Sequence, residues 1–86
     1  MDNEQLVARV QAGENTSDNT LRLWEQNSGL AYKIAKKYTG FAELCDLMQE
    51  AYLGLCEAVR FFDCSKGSAF VTYLGYWIKN KIIRSE

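Results

Sequence analysis

Between Leu44 and Phe62 the apolar residues Leu44, Leu47, Met48, Ala51, Leu55, Ala58, Val59 and Phe62 recur at intervals of three and four, the repeat of one helical face. Asp46 followed three residues later by Gln49 has the form of a capping box near the start of this helix. Upstream, "NEQLVARVQAG" predicts a short amphipathic helix with Leu6, Val7 and Val10 on one face, ended by Gly13. The capping side chains of "ENTSDNT" then open a longer helix, starting near Ser17 or Asp18 and running to about Tyr38. Its expected buried face is Leu21, Trp24, Ala31, Ile34, Ala35 and Tyr38, and Thr39 and Gly40 close it. After the break at "DCSKGS", a fourth helix is predicted from about Ser68 to the end of the chain. No stretch alternates with the period of a strand. The expected fold is therefore all-α, a compact bundle of about four helices in a single domain spanning residues 1–86. The fourth helical pattern continues to the last residue without a C-cap, so the chain is expected to be the N-terminal fragment of something longer.

The fourth helix carries two stripes. Val71, Leu74, Ile78 and Ile82 form an aliphatic one, suited to a core. At about 100° per residue, Tyr73, Tyr76, Trp77, Asn80 and Arg84 form another, interleaved with Lys79 and Lys81. In an ordinary helical domain such aromatics pack against neighbouring helices. Aromatic planes beside cations also make a stacking platform for unpaired bases, with the cations drawn to phosphates. The third helix has its own second face, Asp46, Gln49, Leu53, Cys56, Glu57 and Arg60, where Leu53 stands among polar neighbours with Tyr52 and Cys56 close by. A lone exposed leucine is ordinary. The mixed patch is also of the kind that a partner helix or coiled coil covers.

Charge adds a polarity to this picture. Residues 1–63 carry ten acids against six Lys and Arg, a net −4, whereas residues 64–86 are net +3. One end is thus suited to nucleic acid and the other to a basic or apolar protein surface. No apolar run approaches the roughly 18 residues of a membrane span, and the acidic N-terminus is unlike a secretory signal, so a cytoplasmic location and no membrane partner are expected.

Catalysis and metal binding find little support. The chain has no histidine and no Gly-rich phosphate loop, and Asp46 and Glu50 sit at a helical spacing where solvated or capping roles are commoner than acid–base work. The three cysteines form no CxxC pair, which argues against zinc. On one helix, Cys45 and Cys56 would lie roughly 16 Å apart, beyond the roughly 7 Å reach of a disulfide. Reduced thiols, no enzyme activity, no metal and no cofactor are expected.

Three ordered motifs carry a specific resemblance. "IAKKYTG", "DLMQEAYLGLCEAVRFFD" and "GSAFVTYLGYWIKNKI" are similar, in order and spacing, to region 2 of bacterial sigma-70 family RNA polymerase sigma factors, over about residues 20–86. "QLVARVQAGEN" resembles the short segment that precedes region 2 in many members. The resemblance implies a factor for transcription initiation. It assigns binding of core polymerase, through the clamp coiled coil of the beta-prime subunit, to Asp46, Gln49, Glu50, Leu53 and Cys56. It assigns recognition and melting of the minus-ten promoter element to the fourth helix, with Phe70, Thr72, Tyr73, Tyr76 and Trp77 meeting the separated non-template strand and Tyr73 stacking where an adenine flips out. Lys79, Asn80, Lys81 and Arg84 complete the DNA-binding set. An anti-sigma factor is a further partner the resemblance implies. Departures from the family pattern fall at Tyr76, where tryptophan is common, at Ser68, at Asn80 and at Ala51, and they bear on promoter preference. The alternative function is a helical module that occupies the clamp or an anti-sigma partner without melting DNA. The two readings separate at Tyr73 and Trp77, whose rings only the first needs exposed.

Overall fold

A computed structural model of the chain describes residues 1–40 and 42–85. Four helices follow one another, α1 (Asn3–Gln11), α2 (Thr16–Lys36), α3 (Leu44–Phe61) and α4 (Phe70–Ser85), with a single 3-10 turn, Cys64–Lys66, between the last two. The described residues contain no strand. This is the expected all-α bundle, and the α3–α4 pair is its most extensive helix packing.

Local chemistry explains most boundaries. Asp2 and Gln5 form a reciprocal capping box on α1: the Gln5 backbone N–H donates to Asp2 Oδ1 at 2.8 Å and the Asp2 backbone N–H to Gln5 Oε1 at 3.1 Å. Gly13, at φ 80°, supplies the left-handed residue that ends α1, with its own N–H on the Val10 carbonyl and that of Glu14 on the Arg9 carbonyl. The capping box expected at Asp46 and Gln49 is not formed. Asp46 lies inside the first turn of α3, whose cap is Glu43 without a side-chain bond, so Asp46 acts there through its charge alone. Helix α2 begins at Thr16, one or two residues earlier than expected, from Asn15 in a left-handed conformation (φ 40°) that asparagine tolerates better than most residues. It ends at Lys36, and Tyr38 follows in a closing turn.

The core is formed by Leu6 and Val7 of α1, Leu23, Ala31 and Ala35 of α2, Leu47, Ala51, Leu55, Ala58 and Val59 of α3 with Phe62, and Phe70, Leu74, Ile78 and Ile82 of α4. Two expectations are corrected. Leu21 is exposed, and the inner face of α2 instead runs Asn19, Leu23, Asn27, Ala31 and Ala35. Two buried asparagines interrupt the apolar repeat there, and both are satisfied. Asn27 and Asn3 exchange amide bonds at 2.9 and 3.2 Å, and Asn19 donates to the Glu14 carbonyl at 2.9 Å. Val71 is also exposed, and Phe70 takes its place in the α4 core stripe, its ring edge-on to Phe62 at 5.2 Å. Both positions lie a helical step from Leu74, and the larger ring occupies the interior.

Helix α1 brackets the α3–α4 junction. Gln11 Nε2 donates to the carbonyls of Val59 and Phe62, at 2.9 and 2.7 Å, where α3 ends. Glu4 Oε2 accepts the Phe70 N–H at 2.7 Å, where α4 begins. A donor meets the negative end of one helix and a carboxylate the positive end of the next, the favourable sign at both, worth about 0.3–1 kcal/mol for the charge at a helix terminus.

Gly54 sets the separation of α3 and α4. A Cβ there would lie 3.3 Å from the Ile78 Cα and 3.4 Å from the Trp77 carbonyl oxygen, both backbone atoms that cannot swing aside. Gly29 on α2 has nothing comparable within 4 Å. Thermal melts should therefore separate three variants. Leu55→Ala should cost about 2–5 kcal/mol as a buried large-to-small change. Gly54→Leu should cost about 1–3 kcal/mol by overpacking, whereas Gly29→Ala should stabilise by up to about 1 kcal/mol through helix propensity. Equal melting temperatures for the two glycine variants would contradict the close approach.

Candidate functional site

Two surfaces stand out, one on each helix of the central pair. On α3 the inward stripe leaves Asp46, Gln49 and Leu53 exposed and Glu50 and Cys56 half-buried along the outer face, so the five residues assigned to polymerase binding share one surface strip. Leu53, 48 % exposed, is its main apolar feature. Tyr52 beside it sets its ring edge-on to Trp24 of α2, with centroids 5.3 Å apart, anchoring the strip to the bundle. Burial pushes the Cys56 thiol up, with the Glu57 carboxylate adding to the effect and a hydrogen bond with Tyr52 opposing it. Tyr52 is pushed up as well, first by burial and then by Cys56. Cys56 is thus a protonated, weakly nucleophilic thiol near neutral pH. Cys45 and Cys56 are free, and the side chain of Cys64 lies outside the described residues.

On α4, Tyr73, Tyr76, Trp77, Asn80, Lys81 and Arg84 line one open groove of about 290 Å3, and its remaining wall is Glu57 of α3. Six of the nine residues assigned to DNA therefore come together. Thr72 and Lys79 line a second groove of about 350 Å3 with Ile34, Lys37, Tyr38, Val71 and Gly75. Tyr76 belongs to both grooves, and at 70 % exposure it forms the ridge between them. Phe70 is the exception. It is fully buried, reaches neither groove, and supports the site only from beneath.

Tyr73 and Trp77 are half-buried, and aromatic neighbours hold both rings. Trp77 stacks nearly parallel on Phe61, at 11° and 5.7 Å between centroids, and meets Tyr73 edge-on at 6.0 Å. Tyr73 leans on Phe62 at 5.5 Å. These contacts hold the rings while leaving part of each in the groove. A third, smaller hollow lies beside the loop, lined by Phe61, Phe62, Asp63, Lys66, Ser68 and Tyr73. Asp63 shapes it by accepting the Ser65 hydroxyl at 2.6 Å and the Ser65 N–H at 2.9 Å, bonds that hold its carboxyl below the usual carboxylate range.

Helical spacing puts Glu57 on the outer face of α3, and only the packing of α3 on α4 brings it to this groove. Its Oε1 accepts from Lys81 Nζ at 2.8 Å, the only ion pair among the described residues, so the cationic wall is partly neutralised from α3. No local pattern announces a pair 24 positions apart. Phe61, the partner of Trp77, was missed too, because it falls off the apolar stripe of α3 and is 57 % exposed. No group of side chains able to hold a metal ion is found among the described residues, and no helix of the described residues is long and apolar enough to cross a membrane.

Fold and surfaces together define a small all-helical domain with a mixed polar and apolar strip on α3 and an aromatic, cationic groove beside α4. The family described as Sigma-70 region 2 matches residues 23–85, and the chain belongs to that family. It is 42 % identical over 81 residues to the RNA polymerase sigma factor SigA of Listeria monocytogenes serovar 1/2a and, at the same identity, to that of Listeria innocua serovar 6a. In each case 93 % of this chain and 21 % of the relative are covered. The SigA of a Bacillus species is 40 % identical over 85 residues, covering 98 % of this chain and 22 % of its own length. The chain thus spans about a fifth of the length of the curated relatives it matches. No solved structure matches it.

The Glu57–Lys81 pair has a measurable signature. Both side chains are partly exposed, so a double-mutant cycle of Glu57→Gln and Lys81→Met should give a coupling of only about 0.2–1 kcal/mol. The coupling should fade in 1 M salt. A coupling of several kcal/mol, or one indifferent to salt, would show a buried pair instead.

Proposed function

We propose that this domain joins core RNA polymerase to promoter DNA in transcription initiation, docking through the outer face of α3 and holding separated bases of the minus-ten element on α4. It does so as a binding domain of a longer, cytoplasmic sigma factor, not as an enzyme. The observation that carries this reading is the single open groove in which Tyr73, Tyr76 and Trp77 stand beside Asn80, Lys81 and Arg84. Opening a duplex costs a few kcal/mol for each base taken from the stack, and stacking on an aromatic ring returns about 1–3 kcal/mol per base. Rings already fixed by Phe61 and Phe62 lose little freedom when a base arrives. On this reading Lys79 and Arg84 serve the phosphates, and Lys81 shares that work with its bond to Glu57.

The strip Asp46, Gln49, Glu50, Leu53 and Cys56 is the proposed contact for the clamp coiled coil of the beta-prime subunit. A small apolar centre ringed by acids and an amide suits a helical partner with complementary charge. An anti-sigma factor covering the same strip would compete with the polymerase. The half-burial of Tyr73 and Trp77 keeps in play the second reading, a domain that docks on the clamp without opening DNA.

Two measurements separate these readings. In a pull-down with purified core enzyme, Leu53→Asp and Gln49→Ala should weaken binding while the helical fold is retained. Unchanged binding by both would remove the clamp assignment. In a holoenzyme carrying this domain in its full-length parent, Tyr73→Ala and Trp77→Ala should reduce permanganate reactivity of promoter thymines more than they reduce core binding. Lys79→Ala should instead weaken promoter binding broadly and flatten its salt dependence. Full thymine reactivity in both aromatic variants would favour docking without melting.

A further inference from the structure

Phe61 and Arg60, at the end of α3, lie outside the set of residues assigned to DNA. Phe61 is 57 % exposed, and a single exposed apolar side chain is unremarkable by itself. Its surroundings set it apart. One side of its ring is stacked nearly parallel on Trp77, and the guanidinium carbon of Arg60 lies over the ring, 5.6 Å from its centroid. Arg60 is exposed, and no carboxylate pairs with it among the described residues, since the only ion pair joins Lys81 to Glu57. Phe61 also lines the hollow beside the loop, which shares Tyr73 with the main groove.

We propose that Phe61 and Arg60 form a further base-stacking site, in which an unpaired base of single-stranded DNA slots between the Phe61 ring and the Arg60 guanidinium. This inference rests on the strand-holding reading of α4 and extends the stacking surface by one ring onto α3. Successive layers of a nucleic-acid stack are about 3.4 Å apart, so an inserted base needs about 7 Å between ring and guanidinium. The present 5.6 Å falls short by about 1–1.5 Å, a movement well within the freedom of an exposed arginine side chain. The planar guanidinium stacks on the base while its charge attracts the neighbouring phosphate. In the free protein the same guanidinium covers the ring, so Arg60 acts as a movable cover that exchanges one stacking partner for another. Because Phe61 is layered on Trp77, a base held there continues the surface that Trp77 and Tyr73 present.

Binding of the chain to a labelled single-stranded oligodeoxynucleotide tests this, followed by anisotropy and, in a Trp24→Phe background, by quenching of Trp77 fluorescence. Phe61→Leu keeps an apolar side chain but removes the ring, and should lower affinity about fivefold or more. Phe61→Tyr should retain affinity within about twofold, since stacking tolerates the change. Arg60→Gln should weaken binding and reduce the salt slope by about one counterion. Circular dichroism confirms the fold of each variant, and Arg60→Gln, which alters an exposed side chain only, gives a reading even where Phe61→Leu does not fold. Parent-like affinity in both Phe61→Leu and Arg60→Gln, with binding lost in Tyr76→Ala, overturns this inference and leaves the function of the α4 groove standing. Absence of single-strand binding by the parent chain overturns both.

Discussion

The near contact of two backbones at Gly54 is the constraint on which the site depends. Because no side chain stands between α3 and the Trp77–Ile78 segment of α4, the two helices come close enough for residues of both to line one groove. Glu57, one turn beyond Gly54, reaches Lys81, one turn beyond Trp77. Phe61, two turns beyond Gly54, reaches the Trp77 ring itself. Any side chain at position 54 would push the axes apart by some tenths of an ångström, and the stack and the ion pair would both lengthen with them. Leu55, Ala58, Leu74 and Ile78 are buried in the core that the two helices share, so stability and site geometry rest on one distance.

Within the groove, rigidity and charge are supplied from different places. The rings are held by other rings, Trp77 by Phe61 and Tyr73 by Phe62, which costs no polar group its solvent. The cations sit on long side chains, Lys81 half-buried and tethered to Glu57 and Arg84 exposed at the rim. This division suits a ligand whose bases need defined planes and whose phosphates need only nearby positive charge. Tyr76 differs from the other aromatics. No aromatic neighbour holds it among the described residues, and it stands between two grooves.

Much of the fold was legible in the chain because three of its stripes follow helical spacing. The inner face of α3 lies where its repeat puts it, from Leu47 to Phe62, and Leu6 with Val7 does the same for α1. The errors have physical causes. Asn19 and Asn27 are core positions on α2 whose polar side chains find partners in neighbouring segments, so the true stripe looked interrupted and Leu21 seemed to continue it. Asp-x-x-Gln occurs at both Asp2 and Asp46, yet only the first closes a capping box, because α3 has already begun by Leu44. By helical spacing Val71 lies nearer the centre of the stripe of Leu74, Ile78 and Ile82 than Phe70 does, yet Phe70 is the buried one, packed against Phe62 eight residues away. The groove followed the same rule. Its α4 wall was readable from one helix, whereas Glu57 and Phe61 enter through packing between helices.

The bracket formed by Gln11 and Glu4 separates two notions of where this domain starts. The segment matched by the family opens at residue 23, inside α2, and contains every side chain of the main groove. The packed unit is larger, since α1 belongs to the core. Trimmed to the matched segment, the chain would lose the partners of the Val59 and Phe62 carbonyls and of the Phe70 N–H, and would uncover the surface that Leu6 and Val7 seal. Those backbone groups flank the loop between α3 and α4. The N-terminal helix is therefore a splint across that joint: it lends no side chain to either groove, yet it fixes the angle at which one surface is presented relative to the other.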